Sequence, residues 1–434
     1  MKLYINNFAK IRNADVTVDG ITVIAGENNT GKSTIGKILF SLFNSISGIE
    51  EKIAGQRMME VQNGLQKLFW DYFAHGERGR ETSVYSPSMS RRIALRVVRK
   101  LTELENPDDL EICEAVRKAV EEVGMGRIRA EEEEIQEMTD HAAEKVIAIF
   151  ALPRERIVLE VLSRYFGEVF HEQMNSLKQP ESMASIRVGI KNRKIELAFQ
   201  NNLCTKFEAD IALLHKAIYI DNPFVTDRLN QYHSNVTDRF LEDLLTREVN
   251  GNIMDGIIGA VMAKEKLSEV YQALEAVVDG KVVVKGGDEF YLENVRLGRP
   301  VSFPNLSTGL KSFVIIKMLM EQGAIEEKDV MILDEPEVHL HPQWQVAYAE
   351  LIVLLQKYFD LSIVVTTHSP YFLDAIDLFS VKHGIKEKVN YYLSSIEDNW
   401  VDMQCVTGDI EKIYQKMASP IQLLDTLRHD LNNG

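Results

Sequence analysis

The fold is decided by residues 21–34, which read ITVIAGENNTGKST. The apolar run Ile21–Ala25 predicts a buried strand, and apolar residues recur at helical spacing from Ile35 to Leu42. Between them, the loop matches the motif G-x-x-x-x-G-K-[ST] in full. A glycine loop between a strand and a helix binds anions, because successive backbone N–H groups and the helix N-terminus face the same point. The stretch therefore predicts a phosphate site.

The residues of this loop have separate predicted tasks. Gly26 and Gly31 allow the backbone to turn, Lys32 is expected to reach the β- and γ-phosphates, and the Ser33 hydroxyl is expected to ligate Mg²⁺. An ordinary glycine turn before a helix is the alternative, and the motifs further along the chain disfavour it. The nucleotide-binding residues predicted here are Gly26, Asn28, Asn29, Thr30, Gly31, Lys32, Ser33 and Thr34.

A second chemical motif follows a later apolar run. Residues Val330–Leu333 predict a buried strand, and Asp334 and Glu335 come directly after it. In phosphoryl transfer, one such acid belongs to the coordination shell of the metal ion, while the next acid orients or deprotonates the attacking water. We therefore assign Asp334 to Mg²⁺ and Glu335 to catalysis. The alternative is that these two acids and Pro336 form a capped strand exit.

A third motif, Leu306-Ser307-Thr308-Gly309, opens an apolar helix that is predicted to run to about Gly323. A serine and a glycine at a helix N-terminus form a second anion site in a chain that already has one. Ser307 and Gly309 are therefore added to the nucleotide-binding residues, and two phosphate sites imply two protomers. The alternative is that Ser307 is simply an N-cap.

Composition limits the remaining possibilities. The 434 residues are 45% hydrophobic and 26% charged, as in a globular protein of roughly two to four domains. The net charge of −16 argues against a chain that coats nucleic acid non-specifically, although a local basic groove is compatible with it. Cys113, Cys204 and Cys405 are far apart and suggest neither disulfides nor zinc, as in a reducing cytoplasm. No signal peptide and no run of ~20 apolar residues is seen, so a soluble cytosolic protein is expected.

Strand and helix signals alternate at both ends of the chain. This alternation predicts an α/β fold with a partly parallel sheet that carries the motifs at the carboxyl ends of its strands. The dipeptide Asp19-Gly20, between two β-branched runs, predicts a hairpin. Helix-rich and charge-rich sequence fills the middle, without a heptad pattern long enough for an extended coiled coil.

Together, GENNTGKST, NLSTGLKS, ILDEPEVHLHP and TTHSP resemble the bacterial ABC-type ATPases grouped with the overcoming-lysogenization-defect (OLD) family, relatives of RecF and of structural-maintenance-of-chromosomes (SMC) heads. The resemblance implies an ABC-type P-loop ATPase head, with a mixed sheet flanked by helices and a large helical insertion, that uses ATP and Mg²⁺. The implied organisation is an N-terminal part of the ATPase lobe at residues 1–45, a helical insert at 46–184, lobe strands at 185–225, a second helical insert at 226–284 and the remainder of the lobe at 285–434.

The resemblance also implies roles for single residues. Ser307 and Gly309 would contact the γ-phosphate bound on the opposite subunit of a head-to-tail dimer. His368 would sense that phosphate as a switch histidine, although a lone histidine after a strand can also be structural. The implied catalytic set is therefore Lys32, Glu335 and His368.

Two further features leave alternatives open. His339 and His341 could chelate zinc, but no third ligand has a suitable spacing, and the resemblance places His341 where many ABC proteins carry the D-loop aspartate. Gln200 and the turn at residues 221–223 are rival candidates for the Q-loop region.

The implied function is an ATP-hydrolysing homodimer that regulates a separately encoded effector in bacterial anti-phage defence. Nuclease relatives carry a TOPRIM domain after the histidine motif, and the 64 residues after Pro370 are too few for one, so nuclease activity is not expected in this chain. One alternative is a DNA repair or chromosome-maintenance ATPase of the RecF or SMC type. Another is a non-turnover, nucleotide-gated scaffold that docks a partner through the basic helical face of Ser90–Leu101. Nucleic acid binding stays open, and no membrane partner is expected.

Overall fold

A mixed sheet of eleven strands organises the larger of two units in the chain. The computed structural model describes residues 1–75, 87–104, 107–123, 132–229, 235–246, 267–285, 289–293 and 298–433. The first unit combines Met1–Ser47 with Glu160–Gly434, and the second is Gly48–Leu159. The strand order in the large sheet is β6-β5-β4-β1-β2-β14-β13-β3-β12-β11-β7.

One half of this sheet is parallel and carries the predicted motifs. Its strands are apolar over most of their length and buried on both faces, as parallel strands covered by helices usually are. Leu333 pairs with Val365, and Val365 pairs with Val23, so the three motif-bearing strands end at the same edge. The strands are β3 (Ile21–Gly26), β7 (Ala217–Ile220), β11 (Val330–Asp334), β12 (Ser362–Thr367) and β13 (Val389–Glu397).

The other half is mainly antiparallel, with alternating buried and exposed residues along its first strands. Each successive pair from β6 to β2 is antiparallel, while β14 pairs with β2 in parallel and with β13 in antiparallel orientation. The strands are β1 (Lys2–Phe8), β2 (Ile11–Thr17), β4 (Ala184–Ile190), β5 (Arg193–Gln200), β6 (Leu203–Ala209) and β14 (Trp400–Cys405).

The hairpin predicted at Asp19-Gly20 is wrong. Strands β2 and β3 are not neighbours, and the hairpin lies instead between β1 and β2, where Phe8 pairs with Ile11. Gly20 has a φ of 58°, and a Cβ there would lie 2.2 Å from the carbonyl oxygen of Lys388. The glycine therefore allows a close approach of the backbone that leads into β13. A glycine required for such an approach cannot be distinguished in sequence from a glycine required for a hairpin turn.

Helices cover the parallel half of the sheet. A cluster of aromatic rings joins three of them: the Phe313 and Tyr348 centroids are 5.0 Å apart, and Tyr348 lies 6.4 Å from Phe372. The helices of this unit are α1 (Lys32–Ile46), the part of α6 (Arg154–Phe170) from Glu160 onward, α7 (Val236–Thr246), α8 (Ser268–Glu275), α9 (Thr308–Glu321), α10 (Pro342–Phe359), α11 (Pro370–Lys382) and α12 (Glu411–Asn433). A small antiparallel sheet contains β8 (Lys281–Lys285), β9 (Glu289–Glu293) and β10 (Pro300–Ser302).

The second unit is helical and has its own core. Helices α2 (Ile49–His75), α3 (Pro87–Thr102), α4 (Asp109–Glu122) and α5 (Glu132–Phe150) bury an apolar cluster that includes Leu65, Phe69, Val97, Val116 and Val146. Its basic face, residues 90–101, is partly neutralised, because Arg96 and Lys100 pair with Glu122 and Arg99 pairs with Glu103. Arg91 and Arg92 on the same helix are exposed.

The unit boundaries differ from the predicted insert boundaries at the C-terminal end. Residues 160–184, which were predicted to be part of the insert, belong to the first unit. The reason is aromatic packing, since Phe166 contacts Phe8 and Phe199 of the sheet at 6.3 and 4.9 Å between centroids. The second predicted insert, 226–284, lies partly outside the described residues, and its described part belongs to the first unit. In the part of the chain that the structure describes, no helix is long and apolar enough to cross a membrane.

Candidate active site

The glycine loop turns from β3 into α1 and holds a buried lysine. Gly31 has a φ of 76° and Asn29 a φ of 65°, so the loop passes twice through the left-handed region before the helix begins. Lys32 is 4% exposed, and its Nζ donates hydrogen bonds to the carbonyl oxygens of Gly26 at 3.0 Å and Glu27 at 2.9 Å. The same Nζ lies 3.1 Å from Oε1 of Glu335. The Lys32 ammonium group of the loop thus pairs with Glu335, which directly follows β11.

The loop is fixed by β13 on its outer side. A Cβ at Gly26 would lie 2.4 Å from the carbonyl oxygen of Ser394, so only glycine allows this approach. The Ser394 hydroxyl donates to the carbonyl oxygen of Thr30, and the Thr30 hydroxyl donates to that of Glu27 at 2.8 Å. Lys10 donates to Oδ1 of Asn29 at 2.7 Å. Three of the predicted loop residues, Gly26, Asn29 and Thr30, are therefore held by specific partners or by close packing.

Asp334 lies at the end of β11 with hydroxyl donors on both carboxylate oxygens. The Ser33 hydroxyl donates to Oδ1 at 3.0 Å, the Thr366 hydroxyl also donates to Oδ1, and the Tyr219 hydroxyl donates to Oδ2 at 2.6 Å. Burial raises the pKa of Tyr219 well above its ordinary value, and the charges of Asp334 and Asp221 add to the effect. The phenol therefore stays a donor, and Asp334 is held as an acceptor.

Glu335 follows in an unusual backbone conformation. Its φ of 50° is left-handed, which non-glycine residues adopt rarely and mainly at functional sites. The Glu335 N–H donates to both the carbonyl and the hydroxyl oxygen of Thr366, at 3.1 and 3.0 Å. Its carboxylate lies between Lys32 and His368, whose Nδ1 is 3.7 Å from Oε1. The turn thus aims one acid at the phosphate loop.

The Ser33–Asp334 pair fits a magnesium ion. A serine hydroxyl and a carboxylate 3.0 Å apart offer the hard oxygen donors that Mg²⁺ prefers, with the phosphate loop directly beside them. Among the described residues, no group of three or more His, Cys, Asp or Glu side chains could hold a metal. Such a Mg²⁺ would therefore be held by few protein ligands together with substrate oxygens and water, as is usual for this ion.

A cavity of about 400 Å³ opens beside these groups. Asp221, which follows β7, lines it and has a raised pKa of about 6, because burial and the charges of Asp238 and Asp334 disfavour its ionised form. Gln200 ends β5, six strand positions from β3, which corresponds to roughly 29 Å at ~4.8 Å per strand. Of the two Q-loop candidates, the structure brings the 221–223 turn to the site. The lining residues are Asn28, Asn29, Ser33, Asp221, Asp334, Glu335, Val338 and His339.

The third motif is not part of this cavity. Ser307 occupies the N-cap position of α9, but within the described part of the chain its exposed side chain makes no capping hydrogen bond. Gly309 is buried, and a Cβ there would lie 2.9 Å from the Trp344 ring and 3.1 Å from the carbonyl oxygen of His339. Capping therefore does not account for the Ser307 hydroxyl, and the glycine allows the helix to pack closely.

The two histidines of the H-x-H pair have separate surroundings. His341 is the N-cap of α10, where its Nδ1 accepts from the Gln343 N–H at 3.4 Å. The ring of His339 packs edge-on against Phe224, with 5.6 Å between centroids. These contacts give each ring a role in packing or capping.

Three residues at the site were not predicted from sequence. Tyr219 and Thr366 donate hydroxyl groups to Asp334, and Glu337 accepts from the Thr367 hydroxyl at 2.6 Å and the His368 N–H at 2.8 Å. Their positions in sequence could have indicated them, because each lies within three residues of a motif at the carboxyl end of a parallel strand.

Comparison with known proteins gives a family match over the central part of the chain. A protein-family profile described as "AAA domain, putative AbiEii toxin, Type IV TA system" matches residues 154–374, just over half of the chain. The Septu protein PtuA of Bacillus thuringiensis is 32% identical over 110 residues, which cover 22% of this chain and 27% of that protein. The match thus spans about a quarter of the length of this curated relative.

Solved structures of SMC heads align along nearly the whole chain at low similarity. An SMC head bound to the C-terminal winged-helix domain of ScpA has a TM-score of 0.44 and 12% identity, covering 95% of this chain and 98% of that one. The SMC head domain from Thermotoga maritima has a TM-score of 0.38 and 10% identity, with coverage of 93% and 98%. The predicted α/β fold with a mixed sheet and flanking helices is confirmed by the strand order described above.

Proposed function

The chain belongs to the family described as "AAA domain, putative AbiEii toxin, Type IV TA system", and from this membership and the site we propose that it binds and hydrolyses ATP with Mg²⁺. The observation that carries the proposal is the convergence of Lys32, Ser33, Asp334 and Glu335 at one edge of the sheet. These side chains come from positions some 300 residues apart in sequence, and their types are those that phosphoryl transfer requires.

The chain's own residues supply binding, orientation and a base. The backbone of residues 26–31 and the N-terminus of α1 hold the phosphates, and Lys32 binds the β- and γ-oxygens. To do so, the ammonium group leaves Glu335, whose carboxylate is then free to orient the attacking water and accept its proton. Ser33 and Asp334 hold Mg²⁺, which neutralises charge on the phosphate oxygens when bound. His368, beside Glu335, contacts the γ-phosphate.

The third motif supports a homodimer. The Ser307 hydroxyl is exposed at a helix N-terminus and does not cap that helix in the described structure. It also lies outside the cavity of its own chain. We propose that Ser307 and Gly309 bind the γ-phosphate held by a second, head-to-tail copy. ATP would then join two protomers, and hydrolysis would release them.

The wider role follows by resemblance. The family description names a toxin–antitoxin system, which suits an ATPase that works with a second, separately encoded protein. We propose that nucleotide-gated dimerisation regulates such an effector in anti-phage defence, as the OLD-like motifs imply. The OLD-like assignment and the cytoplasmic location stay predictions.

The decisive experiment replaces Glu335 by Gln. We expect kcat for ATP hydrolysis to fall roughly 100-fold or more, because the general base is lost, while ATP binding persists. Glu208→Gln on the edge strand β6, where the side chain is exposed, is the matched control and should keep the wild-type rate. Hydrolysis by Glu335→Gln at the wild-type rate would refute the assignment of Glu335.

The same variant tests dimerisation. Molar mass in solution is measured with and without ATP and Mg²⁺, and a shift from one protomer to two supports the cross-subunit site. If the mass stays that of one protomer at saturating ATP, the proposed role of Ser307 and Gly309 is wrong. Very slow turnover of the wild type with tight ATP binding would instead support the nucleotide-gated scaffold.

A further inference from the structure

A buried carboxylate that the proposed chemistry does not use lies behind the site. Glu337 is 3% exposed, and its Oε1 accepts two hydrogen bonds, from the Thr367 hydroxyl and from the His368 N–H. Its Oε2 is buried and has no hydrogen-bond partner among the residues that the structure describes. Burying a carboxylate with one oxygen unsatisfied is destabilising. A glutamate at this position therefore suits function better than stability.

The group that Glu337 faces is the side chain of His368. Nδ1 of His368 lies 3.4 Å from Oε1 of Glu337 and 3.7 Å from Oε1 of Glu335, so this nitrogen faces two carboxylates. The His368 side chain is 45% exposed, so packing alone holds the ring weakly. A nitrogen that faces carboxylates carries a proton, so Nδ1 is the donor towards them and Nε2 is the nitrogen left for a ligand.

We propose that Glu337 is a positioning residue: its carboxylate holds the Nδ1–H side of the His368 ring, so that Nε2 faces the γ-phosphate position and donates to it once that nitrogen also carries a proton. This inference rests on the proposed function, because it names what orients the phosphate-sensing histidine. Glu337 acts through two contacts on the same residue: one carboxylate oxygen holds the His368 backbone N–H and lies within reach of its ring. Glu335 faces the same nitrogen at a longer distance and is shared with Lys32.

A second connection between the same two loops does not involve the Glu337 side chain. Gln345 donates to the carbonyl oxygen of Glu337 at 3.4 Å and to that of Leu340 at 3.1 Å. It also accepts from the Ser369 hydroxyl at 2.7 Å. These hydrogen bonds of Gln345 keep the two loops together when the Glu337 carboxylate is changed. Gln345→Ala is therefore a control for loop packing that leaves the His368 contacts in place.

The kinetic test uses Glu337→Gln, His368→Ala and the double variant. Glutamine keeps an acceptor oxygen for the Thr367 hydroxyl and the His368 N–H but removes the charge. We expect kcat to fall roughly 10- to 100-fold, the usual cost of losing a carboxylate that orients a functional histidine, with KM for ATP within about twofold of wild type. In the His368→Ala background, Glu337→Gln should have no further effect. Effects that multiply, or a wild-type rate for Glu337→Gln, would overturn the inference.

Stability separates positioning from a merely structural role. Burial raises the pKa of Glu337, against the hydrogen bonds from Thr367 and His368, so a neutral side chain is well tolerated there. We expect the Tm of Glu337→Gln to equal or exceed that of wild type, whereas Gln345→Ala should lower Tm. A large drop in Tm for Glu337→Gln would mean that the carboxylate serves folding.

A spectroscopic test does not depend on turnover. Histidine-ring ¹⁵N correlation spectra at about pH 8, where an unperturbed imidazole is neutral, report the tautomer, and His368→Ala assigns the signals. Without nucleotide, we expect the Nδ1–H tautomer of His368 in wild type and in Gln345→Ala. We expect a smaller population of this tautomer in Glu337→Gln, because a neutral amide oxygen holds Nδ1–H less strongly than a carboxylate does. An unchanged tautomer in Glu337→Gln would refute the inference. If the wild type does not hydrolyse ATP, the proposed function fails, while these spectra still decide the role of Glu337.

Discussion

Replacing Asp221 by Asn should stabilise the protein at neutral pH. Asp221 follows β7 and lines the cavity beside Asp334. Burial, first of all, and the charges of Asp238 and Asp334 together raise its pKa to about 6, against the opposing charge of Lys37. The ionised form is therefore disfavoured in the folded chain. Asparagine keeps the shape of the side chain and removes this charge.

The size of the effect follows from the shift of the pKa from 3.8 to about 6. At ~1.4 kcal/mol per pKa unit, this is a ceiling of about 3 kcal/mol, and partial exposure reduces it to about 1–2 kcal/mol. Between the two pKa values the folded state binds more protons than the unfolded state, so the free energy of unfolding falls as pH rises through this window. The full penalty of Asp221 is present above pH ~6 and absent below pH ~4.

The measurement is urea unfolding across this pH range, in the presence of a chelator and without nucleotide. We expect Asp221→Asn to be about 1–2 kcal/mol more stable than wild type above pH ~7 and equal to it near pH ~4. Asp402→Asn, an exposed position on β14, is the matched control and should show no pH-dependent difference. A stability gain that does not change with pH, or a loss at neutral pH, would refute the reasoning.

Two further predictions concern packing and thiol reactivity. A methyl group at Gly36 would lie 2.5 Å from a buried side-chain carbon of β11, so Gly36→Ala should lower the free energy of unfolding by about 1–3 kcal/mol. Gly55→Ala, where no atom of the described residues lies within 4 Å of the added methyl group, should be neutral or slightly stabilising when both variants are compared with wild type by thermal unfolding. Burial raises the pKa of the Cys204 thiol to about 12, so at pH ~8 an aromatic disulfide reagent should titrate the exposed Cys113 and Cys405 first. Equal rates for all three thiols in the folded protein would contradict this.

The phosphate loop and its two partner acids could be predicted because the residues that carry their chemistry lie in short contiguous motifs. The strand before Gly26 and the helix after Lys32 are neighbours in sequence, so local pattern is enough to place the loop. The contact between Ser33 and Asp334 joins residues 301 positions apart, yet it follows from what phosphoryl transfer needs on each side.

Strand pairing could not be predicted in the same way. The Asp19-Gly20 turn has hairpin chemistry, but β3 pairs instead with β12 and β13, which come more than 330 residues later. Such choices depend on total burial in the sheet rather than on the turn. The hydroxyl donors on Asp334 were missed for a related reason. Tyr219 and Thr366 read as ordinary strand residues, and only the folded sheet brings them to one carboxylate.

The position of β13 has a consequence for how this protein is made. The phosphate loop precedes Ser394 by more than 360 residues in sequence, yet Gly26 packs against Ser394, and Ser394 also bonds the loop at Thr30. During synthesis, a growing chain that already contains all three motifs and His368 still lacks the strand that shapes the loop. In a growing chain, the loop can therefore reach the geometry described above only after β13 has been added.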